Sequence, residues 1–265
     1  MSETRMDTPD SLFALGGKTA LVTGGGRGIG AMIAGGLVRR GVKTYITGRD
    51  RGQVTAFAEQ LAGAGGECIG LVAELGEADG PATLAAQLGE REDRLHILVN
   101  NAGANAAGSL AEMTLGDWDR VMDVNVRAAF FLAQQLLPQL KAAAREEDPA
   151  RIINVGSIGG LHIPNWEAHA YNTSKAAIHH LTRSLCKALG KDRITVNAIA
   201  PGPFPSGLTD TSSDAVRKSV ATYVPLGRPG TAEDAEGAVV FLASRAGAYV
   251  NGATLPLDGG YIAAL

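Results

Sequence analysis

The sequence predicts a doubly wound α/β fold: a parallel sheet covered by helices on both faces, in a single domain. Three observations carry this prediction. From Lys18 onward, short apolar runs alternate with longer segments of helical periodicity. A glycine cluster stands between the first apolar run and the first helical segment, where such folds turn sharply. No repeat and no low-complexity linker divides the 265 residues, a length that suffices for one large core.

The strand candidates, in order, are "TALVT", "VKTYIT", "ECIGLVA", "HILVN", "RIINVG" and "ITVNAIA". They are apolar nearly throughout, as strands covered on both faces must be. Helices are expected between them at 28–40, 51–62, 79–90, 117–144 and 168–190. Thr231 with Asp234 reads as a capping box that opens a further helix over "AEGAVVFLAS", and "GATLPLDGG" reads as a last strand and turn. Residues 1–14 are expected to form a flexible extension: "MSETRMDTPDSL" mixes charges and lacks the apolar stretch of a signal peptide or membrane span. The catalytic domain is expected over 15–265. Within it, 201–230 carries Pro201, Pro203, Pro205, Pro225 and Pro229 and reads as irregular, with a substrate loop at about 203–225.

Composition excludes several function classes. A net charge of -3 leaves no electrostatic footprint for nucleic acid or an anionic membrane. Cys68 and Cys186 are isolated, which suggests neither a disulfide framework nor a thiolate metal site and fits a reducing cytoplasm. His162, His169, His179 and His180 lack ligand spacing, so no metal is expected.

The run "TGGGRGIG", Thr23 to Gly30, follows a strand and opens a helix. Glycines permit the tight turn and close approach of a ligand, while the free N–H groups and positive end of the helix attract phosphate. That context points to a dinucleotide. A ribose with two hydroxyls calls for an acid at the end of the second strand, and a 2′-phosphate calls for positive charge there. "TYITGRD" places Arg49 at that turn, and Arg27 lies in the glycine run, so NADP(H) is expected over NAD(H). Asp50 is the competing reading, and Arg49 as a solvated loop residue is the bland one.

These residues, together with others downstream, resemble the short-chain dehydrogenase/reductase family over about Leu15 to Gly260. Thr23, Gly24, Gly28 and Gly30 match its cofactor turn, and "NNAG" at Asn100 to Gly103 its fourth-strand motif. Asn125, Ser157, Tyr171 and Lys175 match its catalytic four, and Pro201 with Gly202 the motif after its sixth strand. The resemblance implies a Rossmann sheet of seven mostly parallel strands in the order 3-2-1-4-5-6-7 and a homotetramer or homodimer. It also assigns cofactor contacts to Gly26, Arg27, Ile29, Arg49, Asn101, Ala102, Gly103, Phe204 and Ser206, besides the glycines and the catalytic Tyr171 and Lys175. Glu74 and Leu75 stand where the family carries aspartate and leucine, and Ser206 where it carries threonine.

Tyr171 and Lys175 fall on one helical face, so phenol and ammonium can address one ligand. A free tyrosine titrates near ~10, and a nearby ammonium is expected to lower that value. The resemblance implies hydride delivery to a carbonyl carbon, with Tyr171 as general acid, Ser157 donating to the same oxygen, Lys175 holding the ribose, and Asn125 ordering a water. Thr173 and Ser174 read as spacers. Seen singly, each has a plainer reading: an exposed helix pair, a turn serine, a packed asparagine. Ser157 and Tyr171 stand 14 apart in sequence, one more than is usual in the family. Gly159, His162, Ile163 and Trp166 are expected to line the substrate pocket with Phe204; Trp166 could equally serve a core or an oligomer contact. Within the family the chain is similar in style to 3-oxoacyl reductases, including the branch associated with rhamnolipid synthesis. The expectation is therefore a small-molecule ketone reductase, with a sugar or polyol dehydrogenase and a non-catalytic dinucleotide sensor as alternatives.

Overall fold

The computed structural model describes residues 9–163, 167–205 and 211–265. After a turn of helix, α1 (Pro9–Leu12), inside the stretch expected to be an extension, strands and helices alternate: β1 (Thr19–Val22), α2 (Gly28–Arg39), β2 (Lys43–Gly48), α3 (Arg51–Gly63), β3 (Cys68–Val72), α4 (Gly80–Gly89) and β4 (Ile97–Asn100). The second half continues with α5 (Leu115–Met122), α6 (Ala128–Gln135), α7 (Leu137–Ala143), β5 (Ala150–Val155), α8 (His169–Leu189), β6 (Ile194–Pro201), α9 (Asp214–Tyr223), α10 (Ala232–Ala243) and β7 (Thr254–Leu257). The sheet has the order β3-β2-β1-β4-β5-β6-β7 and every pairing is parallel.

Alternation along the strands builds two cores. Ala20 and Val22 of β1 and Ile97 and Val99 of β4 face one apolar cluster with Ile33 and Leu37 of α2 and Val239 of α10. Leu21 and Leu98 face the other, with Leu84 and Leu88 of α4 and Leu132 and Leu140 of α6 and α7. Every residue of β1, β4, β5 and β6 is buried, which explains their unbroken apolar runs. No helix among the described residues is long and apolar enough to cross a membrane.

Two elements depart from the sequence expectation. The helix expected over 117–144 is broken twice: a π-helical turn occupies Asp123–Arg127, and Leu136 leaves helical geometry ahead of Pro138 near the start of α7. The segment expected to be irregular contains α9, whose start is capped by Ser213 accepting from the Val216 backbone N–H at 3.4 Å. The capping box at Thr231 and Asp234 is present with both of its hydrogen bonds.

Candidate active site

Parallel pairing brings the carboxyl ends of all seven strands to one edge, where open α/β sheets hold their ligands. Thr23, Arg49, Glu74, Asn101, Ser157, Gly202 and Asp258 each follow a strand end there.

At the first strand, Gly24 and Gly28 take φ of +62° and +54°, which other residues rarely adopt. A side chain at Gly30 would collide with the Asn101 amide and the Gly24 carbonyl. Thr23 organises the turn: its Oγ1 accepts from the backbone N–H groups of Asn101 and Ala102, both at 2.9 Å. The Asn101 Nδ2 donates to the carbonyls of Thr23 (2.8 Å) and Gly24 (3.1 Å). Both amide protons are thus committed to the turn. Asn101, expected as a cofactor contact, braces the cofactor loop with its amide nitrogen.

Arg27 stands in extended conformation at the start of α2, which has no side-chain cap, so its first N–H groups remain available. The Ile29 side chain packs against the core, leaving its backbone to the turn. Gly26 lies beside Val54 of α3. Asp50, the competing ribose ligand, caps α3 by accepting from the Gln53 backbone N–H at 2.9 Å. Arg49 remains 73% exposed, with Glu74 as its ion-pair partner at 3.9 Å. A pair this long and exposed is weak and would yield readily to a phosphate. Leu75 is buried in the second core, so its side chain packs there. The site fits a dinucleotide phosphate by its donor set: uncapped helical N–H groups and two exposed guanidinium groups, with one oxygen of Asp50 held in the α3 cap.

The fourth strand leads to Gly103, where an added Cβ would come within 3.5 Å of the Asn125 Oδ1 and 3.8 Å of the Lys175 Nζ. Glycine here keeps the floor between these two side chains open. Asn125 sits inside the π-helical turn and is buried. Its Oδ1 accepts from the Ala104 backbone N–H at 2.7 Å, and its Nδ2 donates to the Ala104 carbonyl at 3.0 Å and to the Ser174 Oγ at 2.9 Å. Ser174 in turn donates to the Tyr171 carbonyl at 2.7 Å and is fully buried. Ser174 is therefore no spacer: it joins the asparagine to the tyrosine-bearing turn. Its signal in the sequence was its place three residues after Tyr171, within reach of that residue's carbonyl.

Ser157 lies two residues beyond β5, and its Oγ accepts from the Gly159 backbone N–H at 3.1 Å, as a turn-capping serine does. The Ser157 hydroxyl is also hydrogen-bonded to the Tyr171 phenol. Lys175 lies one turn along α8, 5% exposed, with its Nζ 5.5 Å from the Tyr171 ring centroid and donating to the Val155 carbonyl at 2.8 Å. Burial pulls the ammonium down to about 8. Burial raises the phenol of Tyr171, and the Ser157 hydrogen bond only partly opposes this. The expected lowering by Lys175 is thus corrected in the free protein: the ammonium lies over the ring face, and desolvation wins.

Around this centre, Gly159 is buried against Asn172, His162 is half-buried, and Ile163 is 84% exposed. Phe204, expected at the cofactor site and pocket wall, is 2% exposed, and its ring packs in the first core against Gly230. Pro201 ends β6, and the Gly202 backbone N–H donates to the Leu257 carbonyl at 2.9 Å. Ala102 packs against the second core while its N–H binds Thr23. Trp166, Ser206 and residues 207–210 of the expected substrate loop lie outside the described residues.

Comparison with known proteins agrees with this geometry. A family model described as Enoyl-(Acyl carrier protein) reductase matches residues 24–262. The rhamnolipids biosynthesis 3-oxoacyl-[acyl-carrier-protein] reductase of Pseudomonas aeruginosa is 43% identical over 251 residues, covering 94% of this chain and 98% of that protein. The 2-dehydro-3-deoxy-D-gluconate 5-dehydrogenase of Dickeya dadantii is 34% identical over 257 residues, covering 95% and 98%. Among solved structures, a Pseudomonas aeruginosa RhlG/NADP active-site complex superposes with a TM-score of 0.91 at 42% identity over 95% of this chain and 98% of that one. With seven parallel strands in this order and these relatives, the chain belongs to the short-chain dehydrogenase/reductase family and is an NAD(P)-dependent member of it.

Proposed function

We propose that the protein is an NADPH-dependent reductase that converts a ketone carbonyl, in a 3-oxoacyl group, a keto ester or a related ketone, reversibly to a secondary alcohol. The observation that carries this reading is the Ser157–Tyr171 hydroxyl pair beside the buried Lys175. The bound cofactor supplies hydride to the carbonyl carbon. Tyr171, kept protonated by burial, gives its proton to the carbonyl oxygen as the C=O bond becomes C–OH. Ser157 donates to the same oxygen, which stabilises charge present only in the transition state. Lys175 holds the ribose side of the cofactor and resupplies the proton. Asn125, with its amide engaged by Ala104 and Ser174, contributes mainly by fixing α8 against the fourth-strand loop, and one lone pair of its Oδ1 remains for a water.

Arg49 and Arg27 support the preference for NADP(H), as does the engagement of Asp50 in a helix cap. Exposed Phe130 and Phe131, in edge contact on α6, support burial of that helix in a homotetramer or homodimer, which light scattering would measure. The two thiols, both free, fit a cytoplasmic setting.

The test is NADPH oxidation against ketones, keto esters, 3-oxoacyl thioesters and sugars. Turnover of 3-oxoacyl thioesters is expected; turnover of sugar acids alone would favour the polyol reading, which the gluconate dehydrogenase relative motivates. Binding of NADPH without turnover of any of them would leave a dinucleotide sensor. For the cofactor, Arg49→Ala is expected to reduce NADPH affinity about tenfold with little change for NADH, read by fluorescence titration. A wild-type preference for NADH would overturn the Arg49 assignment.

A further inference from the structure

The C-terminal turn after β7 is fastened more firmly than a chain end requires. The Asp258 carboxylate accepts from the backbone N–H groups of Gly260 and Ile262, each at 2.9 Å, closing the turn on itself. Gly259 packs on Val224 and Leu226, and its carbonyl accepts from the Leu226 N–H at 3.2 Å. On the other side, a Cβ at Gly202 would meet Asp258 at 2.9 Å and Ile158 at 3.6 Å, so the ends of β5, β6 and β7 converge here. This anchoring sets the Tyr261 ring between two others: His162 at 6.1 Å between centroids, inclined 53°, and Tyr223 at 5.8 Å, inclined 50°.

The three rings come from three separate segments: the turn that carries Ser157, the end of α9, and the C-terminal turn. None belongs to either sheet core, and Tyr223 keeps 37% of its surface exposed. Tilted ring pairs of this kind add stability beyond their burial and present an apolar face with polar tips. They stand at the carboxyl edge of the sheet, next to Ile158, the residue after Ser157.

We propose that Tyr261, braced by His162 and Tyr223, is a specificity-determining residue whose ring forms the wall met by the apolar acyl or alkyl arm of the substrate beyond its carbonyl. The inference rests on the carbonyl-reductase reading. Its position on a fastened turn makes the wall rigid, so it limits the length of that arm instead of adapting to it.

The test measures kcat/KM with NADPH over a ladder of 3-oxoacyl thioesters from about four to about twelve carbons, for wild type, Tyr261→Ala and Tyr261→Leu. Tyr261→Ala is expected to change the ratio of long-chain to short-chain kcat/KM by about tenfold, mainly through KM, with NADPH affinity unchanged; Tyr261→Leu should lie between. Tyr223→Ala should move the ratio in the same direction, and equal melting temperatures would show that the variants fold. Chain-length profiles that superimpose, or fall by one common factor, would overturn the inference while leaving the carbonyl-reductase reading intact. A wild type that reduces no member of the ladder would overturn that reading and this inference with it.

Discussion

The two ends of strand β5 each meet a buried cation and treat it in opposite ways. At the start, Arg151 is 1% exposed and surrounded: it donates to the carbonyls of Leu242 (3.0 Å), Ser244 (2.8 Å) and Pro149, and pairs with Asp148 at 3.1 Å. Asp148 also holds Lys18 at 2.6 Å. At the far end, Lys175 reaches the Val155 carbonyl, and among the described residues no carboxylate pairs with it. A buried charge without a counter-charge costs stability, and folds tolerate it where chemistry needs a perturbed group. The strand thus separates two tasks: its first residues tie the sheet to α10, and its last present a reactive centre whose charge awaits a ligand.

The largest effect that would test this division is at the reactive end. Tyr171→Phe is expected to lower kcat about 10³-fold, since a positioned general acid contributes in that range. NADPH affinity and melting temperature should stay near wild type. A loss of stability matching the loss of activity would mean that the tyrosine also serves the fold, and the contrast between the ends would fail. Next in size is Arg151→Met, expected to lower unfolding free energy by about 3 kcal/mol in urea, because three carbonyls and a share of Asp148 lose their partner. Activity per folded molecule should survive. Unchanged stability would show that the guanidinium network only balances its own desolvation.

Much of this division was legible in the sequence, for particular reasons. The buried strands were visible because parallel strands covered on both faces are continuously apolar, and the Thr231 box because its two residues act locally. The interruption at Asn125 was not, since neither Gly nor Pro marks it; its π turn coincides with hydrogen bonds to Ala104 and Ser174, far away in sequence. Pro138 did announce the second break, but the apolar period runs across it. Helix α9 was masked by the prolines on either side, although Ser213 and the amphipathic run after it carry a helix signature. The direction of the Tyr171 shift lay beyond sequence because it depends on burial, and a lysine four residues away said nothing about how deep both would sit. Arg151 heads the strand candidate "RIINVG", and nothing in its neighbours announces its burial, since its carbonyl partners at Leu242 and Ser244 are far away in sequence.

The smallest effect is the sharpest discriminator between the two ends. In the folded protein Lys175 titrates at about 8, whereas an unfolded lysine holds its proton to ~10.4. Between those values the unfolded chain binds more protons, so this group's contribution to stability rises with pH across the window and is least favourable below it. Replacing it removes that cost but strands the Val155 carbonyl, so cofactor-free Lys175→Met is expected to be more stable than wild type by about 1 kcal/mol at pH 7. As pH rises from about 8 toward about 10 the difference should shrink and then reverse, because the folded wild type releases the proton and recovers about 3 kcal/mol while the variant still lacks a donor for the Val155 carbonyl. Taking the difference between the two proteins removes groups that titrate alike in both, among them Cys68, whose thiol burial pushes up to about 11. Urea titrations at a series of pH values read the gap directly. A variant less stable than wild type at pH 7, or a gap indifferent to pH, would mean that Lys175 is as well accommodated as Arg151, and the two ends of the strand would no longer differ in kind.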